Sequence, residues 1–296
     1  SAKGFEGHIQ APWRVGSFSA LTQGHDAELP DYDAQANAEA PVAQVQERNV
    51  LDRFSFPRGA QAGTCLHAIF EFLDFVSDDD AAIQGLVNKT LLQYGFEGHW
   101  TPVVCDWVKS VCDTELQSGT GLKLNQLSHS QRLDELAFYF PVAGLSVSSL
   151  QQALLPLLAP DSPLAKVILQ LQFFDLTGFM KGFIDLVFEH QGRFYIVDYK
   201  SNHLGHQQAG YQTDDLNQAM ISHDYPLQYL IYSLALHRYL RLRLPNYDPE
   251  QHLGGAYYLF IRGMQPEWGQ AGVFYDKPNV AVLDALDLCF QGLSDG

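Results

Sequence analysis

Residues 182–200, GFIDLVFEHQGRFYIVDYK, constrain the fold more than any other stretch, because they read as two strands that must pair with each other. Phe183, Asp185 and Val187 alternate with Ile184, Leu186 and Phe188. Phe194, Ile196, Asp198 and Lys200 alternate with Tyr195, Val197 and Tyr199, the period of two that marks strands. Gln191-Gly192 supplies a two-residue turn. Counting outward from that turn puts Asp185 opposite Asp198 on one face, with Lys200 two residues further along. Like charges opposed across a hairpin destabilise it, so a positive partner is expected between them. A hard divalent ion such as Mg²⁺ suits the place, since it takes carboxylate oxygens and leaves room for phosphate oxygens. The plainer alternative, an exposed hairpin face that merely carries Asp and Lys, fits the same three residues.

The 296 residues are 46% hydrophobic and 18% charged, enough for one large core or two modest ones. The longest apolar run, Leu150 to Leu158, is interrupted by Gln151, Gln152 and Pro156 and is too short for a membrane span. The opening SAKGFEGH lacks Met and the layout of a targeting segment, so a larger parent protein is expected. Cysteines 65, 105, 112 and 289 form no CxxC pair, which favours a reducing, cytoplasmic setting and makes zinc or iron–sulfur sites unexpected. The net charge of −16 argues against a protein that captures nucleic acid unaided through basic surface. It is compatible with an enzyme to which a tethered partner delivers nucleic acid, metal ions neutralising the local carboxylates.

Along the chain, residues 1–53 read as an N-terminal arm and a mobile acidic loop. Trp13 to Leu21 form a strand or turn entering a helix capped by Ser17 or Ser19. Residues 54–296 read as a single domain with helical insertions. Pro57 to Phe75 predict a helix with Leu66, Ile69, Phe70 and Leu73 as its apolar stripe and Thr64 as its cap; His67 and Glu71 share the neighbouring face. A histidine in that position packs more often than it ligates. Helices follow at 81–94 and 102–116, where Cys105 and Cys112 read as buried small apolar groups. A strand begins at Leu133 with Glu135 on the side of Ala137 and Tyr139. Asp214 to His237 read as one helix with Gln228 and Tyr232 together on it, Gly255 to Ile261 as a further strand, and Val280 to Leu293 as a closing helix. The expected class is α/β: a small mixed central sheet flanked by helices, plus a helical N-terminal portion.

His67 on an early helix, Glu135 on a strand, then Gly-Phe-Ile-Asp, Asp-Tyr-Lys and Gln-Tyr-x-x-Tyr occur in this order. In that order they resemble the RecB-type branch of the PD-(D/E)xK nucleases. PRGAQAGTCLHAIFE, DYKSNHLG and GGAYYLFIRG extend the resemblance to the nuclease domains of bacterial RecBCD helicase-nucleases, over residues 13 to 293. The resemblance implies a restriction-endonuclease-like core and Mg²⁺-dependent hydrolysis of DNA phosphodiester bonds with one or two ions. It implies His67, Asp185, Asp198 and the carbonyl of Tyr199 as metal ligands and Glu135 as a further acidic residue for a second ion or a water. It also implies Lys200 as the catalytic lysine, with Gln228 and Tyr232 positioning DNA. The implied partners are single-stranded DNA, RecC-like and RecD-like subunits and a helicase part of the same chain, in double-strand break repair and recombination, with no membrane. Relatives with an iron–sulfur cluster carry a cysteine group near the C-terminus; this chain has only Cys289 there, and no cluster is expected. The alternative is a catalytically silent nuclease-like module that binds DNA or partner subunits, against which Asp185, Asp198 and Lys200 stand together.

Overall fold

Gln191 and Gly192 adopt φ of 52° and 77°, the pair of left-handed angles that a primed two-residue turn needs. They join β3 (Leu176–His190) to β4 (Arg193–Lys200). His190 pairs with Arg193 and Leu186 with Val197, the register counted from the turn. The computed structural model describes residues 14–17, 51–173 and 175–293. Its other strands are β1 (Arg14–Gly16), β2 (Arg132–Leu145), β5 (Leu253–Phe260) and β6 (Val273–Asp276). The six-stranded sheet runs β1-β3-β4-β5-β6, with β2 also paired to β3. The β1–β3 and β4–β5 pairs are parallel and the remaining pairs are antiparallel, so the sheet is mixed, as expected. The glycine that opens the hairpin motif is needed where Phe138 crosses it: a Cβ on Gly182 would stand 2.5 Å from that ring.

Nine α-helices flank the sheet among the described residues: α1 (Ala60–Phe72), α2 (Asp80–Gln93), α3 (Thr101–Asp113), α4 (Val147–Leu154), α5 (Pro163–Gln170), α6 (Thr213–Ser222), α7 (Tyr225–Arg243), α8 (Pro249–His252) and α9 (Val280–Phe290). None of the described helices is long and apolar enough to cross a membrane. Two separate cores form, one on each face. On one, α4 to α7 and α9 pack on Met180, Ile184, Val187, Ile196, Tyr258 and Phe260. On the other, α1 to α3 pack on Leu186, Phe188, Val197, Tyr199, Tyr257 and Leu259. The helical N-terminal portion is thus the layer of the second core, and Cys65, Cys105 and Cys112 are buried in it.

Ile184 belongs to the first core and Leu186 to the second, so the simple alternation expected along β3 changes face at Asp185. β2 changes with it. Arg132 reaches the Leu73 carbonyl on the second side, while Leu136, Phe138 and Phe140 serve the first. At the crossing, Glu135 has φ 51°, a left-handed conformation uncommon for a side chain of this type. Pairing runs Asp134–Leu186 and Leu136–Ile184, with Glu135 and Asp185 left out between them. Glu135 therefore does not continue the side of Ala137 and Tyr139 in regular alternation. This seam defines where the two cores hand over.

Two further expectations are corrected. Thr64 is no cap: it lies inside α1, its hydroxyl donating back to the Ala60 carbonyl at 2.8 Å, and Gly59 precedes the helix. The helix expected over 214–237 is two helices, because Asp224 turns left-handed at φ 55° and Pro226 opens the second. Of the strand or turn expected within Trp13 to Leu21, Arg14–Gly16 is a strand of the sheet; the helix expected after it and the acidic loop at 22–50 lie outside the described residues.

Arg262, fully buried just after β5, ties distant segments together. Its guanidinium donates to the carbonyls of Ser201 at 2.9 Å, Pro57 at 2.8 Å and Phe56 at 3.2 Å, and also to that of Arg53. It thereby links the entry to α1 with the exit of β4. Arg262→Met keeps the bulk but orphans several buried carbonyls, each costing about 1–3 kcal/mol. The variant should lose about 3 kcal/mol or more in a denaturant titration.

Candidate active site

α1 brings His67 to the sheet. Leu66, Ile69 and Phe70 bury its apolar side, which turns His67, only 5% exposed, onto Asp185 with Nδ1 3.2 Å from Oδ2. The same Oδ2 accepts the backbone N–H of Tyr199 at 2.8 Å, so β4 holds the β3 carboxylate where regular pairing stops. The Tyr199 ring is locked by stacking on Phe70, centroids 4.4 Å apart, and by the edge of His67. Asp198 is 2% exposed and receives Lys200 Nζ on Oδ1 at 2.7 Å. Burial raises the Asp198 carboxyl above the ordinary range; Lys200 opposes this, Asp185 adds to it, and His67 opposes it more weakly. His67, Asp185, Asp198 and Lys200 thus form one buried cluster.

Lys200 is caged. Its ammonium lies 4.1 Å over the Tyr225 ring and 5.4 Å from that of Tyr258, contacts that favour the charged form. Tyr258, directly beside Asp198 on the parallel strand, donates to Gln228 Oε1 at 2.8 Å, and Gln228 Nε2 donates to Tyr232 at 3.2 Å. Gln228 and Tyr232 are 1% and 3% exposed, so any influence they have on a bound strand passes through Tyr258 and the lysine cage. The two tyrosines at the cage were missed in the sequence. Tyr258 was accessible in principle, since GAYYLFI alternates and a parallel neighbour of β4 brings every second side chain to the carboxylate face.

Glu135, half-buried, sits at the seam in the unpaired position between Asp134–Leu186 and Leu136–Ile184. On α1, Glu71 is raised by burial and then by Asp134, and Asp134 is raised by burial against the pull of Arg132. Beyond Lys200, Arg58 lies 3.0 Å from His203 Nε2. Burial and then Arg58 hold His203 down to about 4, so it is neutral and accepts from the guanidinium.

The donor set suits a hard divalent cation: two carboxylates, an imidazole and nearby backbone oxygen, with burial that leaves the acids short of positive charge. Among the described residues no three His, Cys, Asp or Glu side chains are already closed round one point. In this structure the acids are held by their own neighbours, Asp185 by His67 and Tyr199, and Asp198 by Lys200.

Two outcomes follow. Glu135→Gly relaxes the left-handed angle, so stability should stay level or rise by about 1 kcal/mol even as a site carboxylate is lost; thermal and denaturant melts check this. Millimolar Mg²⁺ or Mn²⁺ should raise the melting temperature by mass action, and Asp198→Asn should abolish the rise. Because the Asp198 acid is raised, it releases its proton to a cation only as pH increases, so the metal-induced shift should grow with pH across the neutral range.

Comparison with known proteins agrees with this geometry. The chain is 41% identical to RecBCD enzyme subunit RecB of Escherichia coli over 286 residues, which is 95% of the chain and 23% of that protein. The Haemophilus influenzae RecBCD enzyme subunit RecB is 35% identical over 308 residues, covering 98% of the chain and 24% of the relative. The Mycobacterium tuberculosis RecBCD enzyme subunit RecB is 32% identical over 323 residues, 97% of the chain and 30% of the relative. The chain therefore spans between 23% and 30% of the length of these relatives. A model of the PD-(D/E)XK nuclease superfamily matches residues 42–287, and with the acids and lysine of the hairpin gathered as described, the chain belongs to that superfamily.

Proposed function

We propose that the chain is a Mg²⁺-dependent DNA nuclease acting on single strands handed to it by a RecBCD-type helicase, in the cytoplasm, during double-strand break repair and recombination. The observation that carries this reading is the convergence of His67, Asp185, Asp198 and Lys200 from α1 and two adjacent strands. A divalent ion bound there supplies positive charge beside the scissile phosphate and lowers the pKa of a water. His67, Asp185, Asp198 and the carbonyl of Tyr199 are the groups that hold it, and Glu135 serves a second ion or the water.

The chain's own residues do the rest. Asp185 is held by the Tyr199 N–H and by His67 just where the β3–β4 pairing ends. Lys200, held against Asp198 and the Tyr225 face, orients the attacking water and balances charge developing on the phosphate oxygens. Gln228 and Tyr232 act through Tyr258 as positioning residues. RecC-like and RecD-like partners and a helicase region are favoured by the greater length of the relatives, which are named as RecBCD enzyme subunits, and by the charge of −16. Delivery by a tethered motor replaces capture by basic surface.

Cleavage of labelled single-stranded DNA should require Mg²⁺ and vanish with EDTA or Asp198→Ala. Lys200→Ala should lower the rate about 10²–10⁴-fold while leaving metal-induced thermal stabilisation in place. Cleavage that survives both EDTA and Asp198→Ala overturns the reading. Absence of cleavage by wild type, alone and with helicase partners, favours a silent binding module.

A further inference from the structure

Among the described residues, the arm of the sheet built from β2 and the first part of β3 is covered on one side only. Its even-numbered residues, among them Phe140, Met180 and Ile184, are buried in the first core. Its odd-numbered residues face the other way, onto the side where α1 to α3 cover Leu186 and Phe188. Those helices do not extend past the Glu135–Asp185 seam. Tyr139 and Phe183 are consequently 58% and 46% exposed. Phe179 stacks on Tyr139 with centroids 4.5 Å apart and planes 10° from parallel. Lys181, exposed, is the direct cross-strand partner of Tyr139. Phe183 is two residues from Asp185.

A solvent-facing sheet surface is ordinarily polar. Here it presents ordered aromatic faces with a cation among them, continuous with the buried carboxylates, on a chain that is otherwise strongly acidic. Unpaired bases have open π-faces that stack on such side chains with little regard to sequence, and a neighbouring ammonium meets the backbone phosphate. Bases within a duplex have those faces already covered. We propose that Tyr139, Phe179 and Phe183, with Lys181, form a stacking platform that holds the bases of single-stranded DNA on the approach to Asp185. This rests on the nuclease reading of the site. The cation at the centre and the continuity with the seam favour nucleic acid over a protein surface as occupant.

The test measures binding separately from cleavage. Anisotropy of a labelled oligothymidylate is recorded with the full chain, without metal and at low salt. Tyr139→Ala and Phe183→Ala should each weaken binding about 5- to 100-fold. Tyr139→Phe should bind as wild type, as should Leu242→Ala, a control at a side chain 84% exposed on α7. Cleavage of the same strand by wild type with Mg²⁺ is read separately from metal-free binding, so a failed nuclease reading shows up independently of a failed platform. A 2-aminopurine oligonucleotide should be quenched on binding wild type and less so on binding Phe183→Ala, a readout that a purely structural role does not move. Alanine variants within twofold of wild type, or a wild type with no affinity for single strands, sink the proposal. So does a change in self-association or protein pairing with DNA affinity unaltered, which makes the face a protein interface.

Discussion

Repulsion between the buried carboxylates of Asp185 and Asp198 is the constraint to which the rest of the structure answers. In a region of low effective dielectric, two acids on neighbouring strands can stay together only if positive groups and donors are fixed around them. The hairpin accommodates this by ending its regular pairing at Leu186–Val197. Each acid then receives its own support: His67 and a backbone N–H for one, Lys200 for the other. None of these supports is a mobile surface group. α1, β4 and the tyrosine cage are all buried elements, so the tension at the centre is met by packing on both sides of the sheet.

That packing is divided. One core stabilises the helix that carries His67; the other stabilises the helices and strand that carry the lysine cage and the Gln228 line. The face change at Glu135 and Asp185 is where the two layers meet, and it accounts for a glutamate in an uncommon backbone conformation. Regular alternation through Asp185 would have kept each strand in contact with one core along its whole length. The kink instead allows β3 to support both cores.

The hairpin was legible in the sequence because its turn is short and carries Gly192, and register then follows by counting. Spacing placed His67 only beside the apolar stripe of its helix; its membership of the site came from the resemblance. The division of 214–237 was not, because Asp224 in a left-handed conformation has no periodic signature. Nor was the seam: the sequence around Glu135 continues to alternate, and the switch of face follows from which helices pack on which half of the strand. Gln228 and Tyr232 were found by spacing, but their burial depends on Tyr258, a strand brought alongside from far along the chain. Local pattern reports faces; it does not report which distant element covers them.

The parallel placement of β5 against β4 also governs the order in which the centre can be completed. Tyr258 is separated from Asp198 by a long crossover, and Arg262 reaches back across 209 residues to the carbonyl of Arg53. Contacts of such separation form late in folding. A growing chain that has left the ribosome only as far as Lys200 carries both acids and the lysine without the strand and guanidinium that fix them. The packing around the acidic cluster is therefore completed only with the last part of the chain to be synthesised, well after the acids and the lysine themselves.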